Sequence, residues 1–365
     1  MAALGGAAGI VQTHMAAARS LLFVRDVHRH ATRLRGVHRH ASSRGEERWR
    51  CLWLMNGWLD IPKELQRCFD GAGTNATVDI ADFSRPLAEQ CAGAHVLLPS
   101  VVPVDASLVA AAVDLRFLMQ PAKGTNNLDL RALAERSIPV CNTPSGNIIS
   151  TAETTVALMM TLSRQVSLAQ RIFTDGCGPG TSIAQWQSAF PDCYNLNGRV
   201  AGFVGYGAVG QRVGRVCEAL GMSVRHVRST SSRGDLYELL RRSHVLFVCL
   251  PLSAATEGLI GERELALLPP TALVVNSARG PIVDRQAVTR AVVEGRIGGY
   301  ATDVHWHEPV LDAATDPLYS HPNVVATPHV GANAVETWAA IASHCAECIG
   351  LAQQGRLDEL PGRIV

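Results

Sequence analysis

Arg199-Val200-Ala201-Gly202-Phe203-Val204 runs straight into Gly205-Tyr206-Gly207-Ala208-Val209-Gly210, and the reading of this stretch decides the fold. The first half is a short apolar strand. The second is a G-x-G-x-x-G with a helical pattern behind it. Val209, Val213, Val216 and Leu220 recur at i, i+4, i+7 and i+11, which predicts one helix face packed on a sheet, and Gly221 is placed to end the helix. Met222 to Val227 then reads as a second strand. A glycine trio alone is weak evidence, often only a turn. Between two strands and ahead of a helix, it marks a dinucleotide-binding unit. Gly205, Gly207 and Gly210 permit the tight turn and close backbone approach. The helix N-terminus, reached through Tyr206, Ala208 and Val209, offers free N–H groups and partial positive charge to a pyrophosphate.

The end of the second strand selects the cofactor. NAD sites of this type place Asp or Glu about twenty residues on, to accept from the ribose 2′-hydroxyl. Here the chain reads Val227-Arg228-Ser229-Thr230-Ser231-Ser232-Arg233, with Arg228 in the acid's place. A carboxylate would repel a 2′-phosphate, whereas a guanidinium with hydroxyl neighbours Ser229 and Thr230 would bind one through charge-assisted hydrogen bonds. The residues therefore favour NADP(H), with NAD as the alternative. The chain uses 31 Arg against 2 Lys, which weakens any single Arg but does not account for the missing acid.

Strand and helix patterns alternate from Arg50 onward. Apolar runs at Cys51 to Met55, Thr77 to Ile80, His95 to Leu98, Leu115 to Met119 and Pro139 to Cys141 predict an open parallel sheet. A helix is expected from Ile149 to about Ala169, then a connecting loop over Asp175 to Asn197. After the glycine motif, His244 to Cys249, Ala272 to Asn276, Gly299 to Val304 and Val324 to Thr327 read as strands buried on both faces. The fold class is α/β.

Three distant segments carry further chemistry. Arg279 sits in Asn276-Ser277-Ala278-Arg279-Gly280, Glu308 in Asp303-Val304-His305-Trp306-His307-Glu308-Pro309, and His329 in Thr327-Pro328-His329-Val330-Gly331. Reducing a 2-oxoacid needs a fixed cation for the substrate carboxylate, an imidazole to give or take the alcohol proton, and a carboxylate to orient that imidazole and support its charged form. In order and context these motifs resemble the D-isomer-specific 2-hydroxyacid dehydrogenases. Family-like stretches extend from about Trp53 to the C-terminus, including Gly124-Thr125-Asn126-Asn127-Leu128-Asp129, Asn142-Thr143-Pro144 and Cys249-Leu250-Pro251-Leu252.

That resemblance implies two doubly wound parallel-sheet domains, Rossmann-like and flavodoxin-like, with the active site in the cleft between them. It puts a substrate-binding domain at 49–147 plus 333–365 and a dinucleotide-binding domain at 148–332. Arg279, Glu308 and His329 would be catalytic. Gly124, Thr125, Arg279 and, as a candidate, Lys123 would meet substrate. Leu250, Pro251, Thr256, Ser277, Ala278, Asp303, His329 and Gly331 would join the glycine loop around the cofactor, with Asp303 on the nicotinamide carboxamide. His305 and His307 are expected to be solvated loop residues. A homodimer is implied.

Members acting on phosphoglycerate look as though they use arginines after the third strand and before the carboxylate loop. Here those stretches read Pro99-Ser100-Val101-Val102-Pro103 and Gln120-Pro121-Ala122, without Arg. A small unphosphorylated acid, such as glyoxylate or hydroxypyruvate, is the expected substrate. The alternatives are a phosphoglycerate dehydrogenase-like enzyme and, from another class, a dinucleotide-sensing corepressor-like protein.

Composition agrees with a two-domain enzyme: 365 residues, 47% hydrophobic, and a formal charge of +1 that gives no overall pull toward nucleic acid. No apolar run has the length of a membrane span, and no metal site is expected. The ten cysteines lack a disulfide or metal spacing, and the C-x-x-C of Cys345 and Cys348 reads as two small buried residues in a helix. Residues 1–48 differ in kind. Up to Gly45 they hold seven Arg and five His against one acid, Asp26, and Val-His-Arg-His-Ala occurs twice, at Val27 and Val37. Such an extension resembles an organellar transit peptide, mitochondrial or plastid. Without that role the expectation is cytoplasmic.

Overall fold

The computed structural model describes residues 47–175 and 193–365, apart from Asn56, Leu59, Pro309 and Leu311, together with 182, 184, 188 and 190. The transit-peptide reading and most of the expected connecting loop lie outside the described residues. Glu47 is already tied to the fold, accepting from His95 Nε2 at 3.1 Å and from Arg116 at 2.5 Å.

Two wholly parallel sheets organise the chain. The first joins β1 (Trp49–Trp53), β2 (Ala76–Ile80), β3 (Val96–Leu98), β4 (Phe117–Gln120) and β5 (Val140–Asn142) in the order β2-β1-β3-β4-β5. The second joins β6 (Val200–Val204), β7 (Ser223–Val227), β8 (Val245–Val248), β9 (Leu273–Asn276), β10 (Gly299–Thr302) and β11 (Val324–Ala326) in the order β11-β10-β9-β8-β6-β7. Strands β8, β9 and β10 are buried along their whole length, as their near-continuous apolar runs require. Helices cover both sheets. The C-terminal helix (Val335–Gln353) returns to the first sheet, burying Ile341, Cys345, Cys348 and Ile349 against Cys51, Trp53, Phe117 and Met119. Among the described residues no helix is long and apolar enough to cross a membrane, and no group of His, Cys, Asp or Glu could hold a metal ion.

Two local readings change. The helix expected from Ile149 to Ala169 is two helices, Ile148–Ser163 and Val166–Asp175. Gln165 breaks it by adopting a left-handed φ of 49°, a conformation that ends a helix. The glycine-loop helix (Ala208–Ala219) buries Gly210, Val213, Gly214 and Cys217, while Val216 and Leu220 stay 39% and 36% exposed. The buried stripe keeps Val213, with Val209 partly buried against the same core, and turns away from Val216 and Leu220. Close approach accounts for the rotation: a Cβ on Gly214 would collide with the Tyr206 ring, so the stripe is centred on Gly210, Val213, Gly214 and Cys217.

Candidate active site

The candidate residues leave the carboxyl ends of parallel strands, where open α/β sheets bind ligands. Arg279 follows β9, whose last residue, the fully buried Asn276, accepts from Ala278 N at 3.0 Å and donates to the Arg279 carbonyl at 2.9 Å. The guanidinium crosses to the loop after β4. Its Nε donates to Asn126 Oδ1 at 3.4 Å, and it lies so close to Gly124 that any Cβ there would collide with it. Burial pushes the guanidinium below its ordinary value, and the Glu308 carboxylate opposes that push. Gly280 lets Arg279 come this way, because a side chain there would strike the His305 carbonyl.

Glu308 and His329 form a pair. Glu308 Oε2 lies 2.6 Å from His329 Nδ1 and Oε1 accepts from His305 N at 2.9 Å. A carboxylate only accepts, so Nδ1 carries the hydrogen. His329 Nε2 makes no hydrogen bond among the described residues. Burial raises the Glu308 carboxyl, but the hydrogen bond and charge of His329, with the His305 N–H, outweigh it and hold the carboxyl below its ordinary value.

The His329 loop is strained and heavily tied. His329 has φ 55°, rare for a residue with a side chain. Asp303, 4% exposed, accepts from Thr327 Oγ1 at 2.6 Å and Val330 N at 2.9 Å through Oδ1, and from Gly331 N at 2.7 Å through Oδ2. The residue expected on the cofactor is therefore also the clasp of this loop. His305 departs from its expected solvated state: its Nδ1 meets Tyr319 Oη at 2.8 Å and its Nε2 meets the Thr327 carbonyl at 3.0 Å. His307 is exposed.

At the glycine loop, Gly205 has φ 83° and packs on Cys249 and Leu250 with no room for a Cβ. Around Gly207 the space is open, and the helix it begins has no side-chain cap. Tyr206 stacks on His226 with ring centroids 4.3 Å apart. Thr256 Oγ1 donates to the Pro251 carbonyl at 2.8 Å, and Thr155 Oγ1 to Ser277 Oγ at 2.7 Å. Arg228, Ser229 and Thr230 lie exposed in the turn after β7. Arg233, the next arginine along, is committed elsewhere: it donates to Tyr237 Oη and Glu264 Oε1, both at 2.8 Å.

The sequence reading missed a clamp beneath the substrate loop. Fully buried Gln120 donates to the Ser100 carbonyl at 2.9 Å and the Gly124 carbonyl at 2.7 Å, and Asn127 donates to the Ser100 and Val102 carbonyls at 3.0 and 2.8 Å. A glutamine ending an otherwise apolar strand was the available signal. Lys123 is exposed, and its carbonyl accepts from Asn142 at 2.8 Å.

Comparison with known proteins bears on the family. The profile of the D-isomer specific 2-hydroxyacid dehydrogenase NAD binding domain matches residues 156–331. The chain is 32% identical over 277 residues to a glyoxylate reductase of Korarchaeum cryptofilum, covering 72% of this chain and 80% of that one. The chain belongs to the D-isomer-specific 2-hydroxyacid dehydrogenase family. It is therefore an oxidoreductase with a nicotinamide dinucleotide domain. A D-3-phosphoglycerate dehydrogenase of Archaeoglobus fulgidus is 34% identical over 251 residues, 66% of this chain, but the chain spans only 46% of that relative's length. The crystal structure of the TT0316 protein from Thermus thermophilus superposes with a TM-score of 0.76 at 29% identity, covering 87% of this dehydrogenase-family chain and all of the other.

Proposed function

We propose that this chain reduces a small unphosphorylated 2-oxoacid, such as glyoxylate or hydroxypyruvate, to the D-2-hydroxyacid with NADPH. The observation that carries the reading is the meeting of three loops: the Arg279 guanidinium against Gly124, with Glu308 paired to His329 beside it. The open space at Gly207 and the uncapped helix behind it fit a dinucleotide pyrophosphate. A bound nicotinamide supplies the hydride.

The chain's own groups do the rest. Arg279 and the backbone of Gly124-Thr125 hold the substrate carboxylate, and Arg279 also draws charge onto the keto oxygen. His329 Nε2 donates the proton to that oxygen, and Glu308 stabilises the imidazolium before transfer. Asp303 Oδ2, which accepts one bond within the protein, has capacity for the nicotinamide carboxamide. Arg228, Ser229 and Thr230 meet the 2′-phosphate. The Gln120 amide nitrogen is spent on the Ser100 and Gly124 carbonyls and the Ser100 loop has no cation, so a phosphorylated substrate lacks a positive partner there. Lys123 is the candidate cation at the substrate loop. Apolar side chains left open on the helix Val166–Asp175, Val166 at 51% and Phe173 at 70% exposed, support a homodimer. The composition of residues 1–48 supports an organellar address.

A panel of 2-oxoacids assayed with NADPH and NADH tests this. Glyoxylate or hydroxypyruvate is expected to turn over, with kcat/KM favouring NADPH by roughly 10- to 150-fold, the worth of about 1.5 to 3 kcal/mol of charge-assisted bonding. Preference for NADH would overturn the cofactor reading. No turnover with any 2-oxoacid would overturn the activity.

A further inference from the structure

One residue touches all three candidate catalytic loops, and it is not one of the candidates. His305 donates its backbone N–H to Glu308 Oε1 at 2.9 Å. Its carbonyl packs on Gly280, next to Arg279, where only a glycine fits. Its ring reaches the third loop, with Nε2 3.0 Å from the Thr327 carbonyl. That carbonyl only accepts, so Nε2 carries the hydrogen and Nδ1 is left to accept from Tyr319 Oη at 2.8 Å. Tyr319 also holds the ring edge-on, with centroids 5.3 Å apart and planes at 75°.

The Thr327 carbonyl matters because it forms the turn that aims His329. It accepts from His329 N at 2.9 Å, closing a three-residue turn around Pro328, and His329 then follows in the left-handed region. Such a residue keeps its conformation only where neighbours over-determine it. Asp303 ties the loop from one side. His305 Nε2 ties the same turn through its carbonyl, while His305 N holds the Glu308 carboxylate.

We propose that His305 is a positioning residue that holds Glu308 and His329 in register with each other and with Arg279. The inference rests on the oxoacid-reductase reading of the site. Two substitutions separate its two ring bonds, since an Asn amide reaches where Nδ1 stands and a Gln amide where Nε2 stands. His305→Asn keeps the tie to Tyr319 and loses the one to Thr327; His305→Gln does the reverse.

The experiment measures single-turnover reduction of glyoxylate and hydroxypyruvate by absorbance, with KM, cofactor Kd and Tm for each variant. A misplacement of about 1 Å costs up to roughly 10²-fold in rate. His305→Asn is expected to lose roughly 10- to 100-fold in the chemical step, with KM and cofactor Kd within about threefold. His305→Gln is expected to stay within about threefold of the natural protein. A Gln variant that falls as far as the Asn variant would reduce His305 to packing, and an Asn variant of native rate would remove its role. A readout independent of substrate is the far-downfield proton resonance of the His329 Nδ1–H bonded to Glu308. It is expected in the natural protein and in His305→Gln, and broadened away in His305→Asn. If that resonance follows the pattern while no 2-oxoacid turns over, the positioning role stands and the activity reading falls. An equal resonance in all three proteins would overturn the positioning role.

Discussion

The His329 loop, proposed to transfer the proton, and the Arg228 turn, proposed to choose the cofactor, are held in opposite ways. The His329 loop carries a strained residue, a conformation that costs about 1 to 3 kcal/mol. It is fastened by three bonds from Asp303 and one from His305. The Arg228 turn is exposed and closed locally, by Arg228 N donating to Ser231 Oγ at 3.1 Å and Ser231 N to the Arg228 carbonyl at 2.9 Å. Proton transfer, the role proposed for His329, needs one geometry, which fits a strained residue enclosed by neighbours. Cofactor choice needs only a charge of the right sign at the right distance. It can therefore sit on a solvated side chain whose replacement leaves the fold alone.

The contrast breaks most visibly at His329. His329→Gln is expected to lose roughly 10²- to 10⁴-fold in kcat while cofactor Kd holds; near-native turnover would mean the rigid loop serves something other than proton transfer. At the opposite pole, Arg228→Asp is expected to invert a preference of roughly 10- to 150-fold between the cofactors. Its Tm should stay within about 2 °C, and a larger fall would show that the turn is not the free surface described above.

A smaller effect is expected where the two kinds of region meet. Gly124 has no left-handed φ, and the obstacle to a Cβ is the far end of Arg279 rather than backbone. Gly124→Ala should therefore fold normally and raise KM for the oxoacid roughly 10-fold by displacing the guanidinium. An unchanged KM would separate Arg279 from the carboxylate. The smallest effect is in pH. Glu308 is held below the ordinary carboxylate value of 4.5, so its charge is kept through neutral pH and lost only as pH falls through that lowered value. Acid loss of activity between about pH 5 and 7 is thus not titration of Glu308. Removing its charge in Glu308→Gln takes away support for the imidazolium, and the pH–rate profile should move downward. A profile that stays in place would mean the 2.6 Å pair does not govern proton transfer.

Much of this was written locally. Val200 to Gly210 specifies strand, turn and helix within a dozen residues, because apolar alternation, a glycine able to take φ 83° and a helix start are short-range properties. The strands of both sheets fall within a few residues of their apolar runs for the same reason. Glu308 and His329 were legible as a motif pair from chemistry and family resemblance. What remained hidden depends on parts of the chain that meet only on folding. How far the packed helix face turns from Val216 and Leu220 follows from how closely Tyr206 and Gly214 approach. The break at Gln165 has no Gly or Pro to announce it. The Gln120 clamp, the commitment of Arg233 to Glu264 and the two ring bonds of His305 each join residues distant in the chain. Periodicity and turn chemistry act over a few residues and so can be read in order. The partner of a polar side chain is chosen by whichever buried donor or acceptor the tertiary fold brings within about 3 Å.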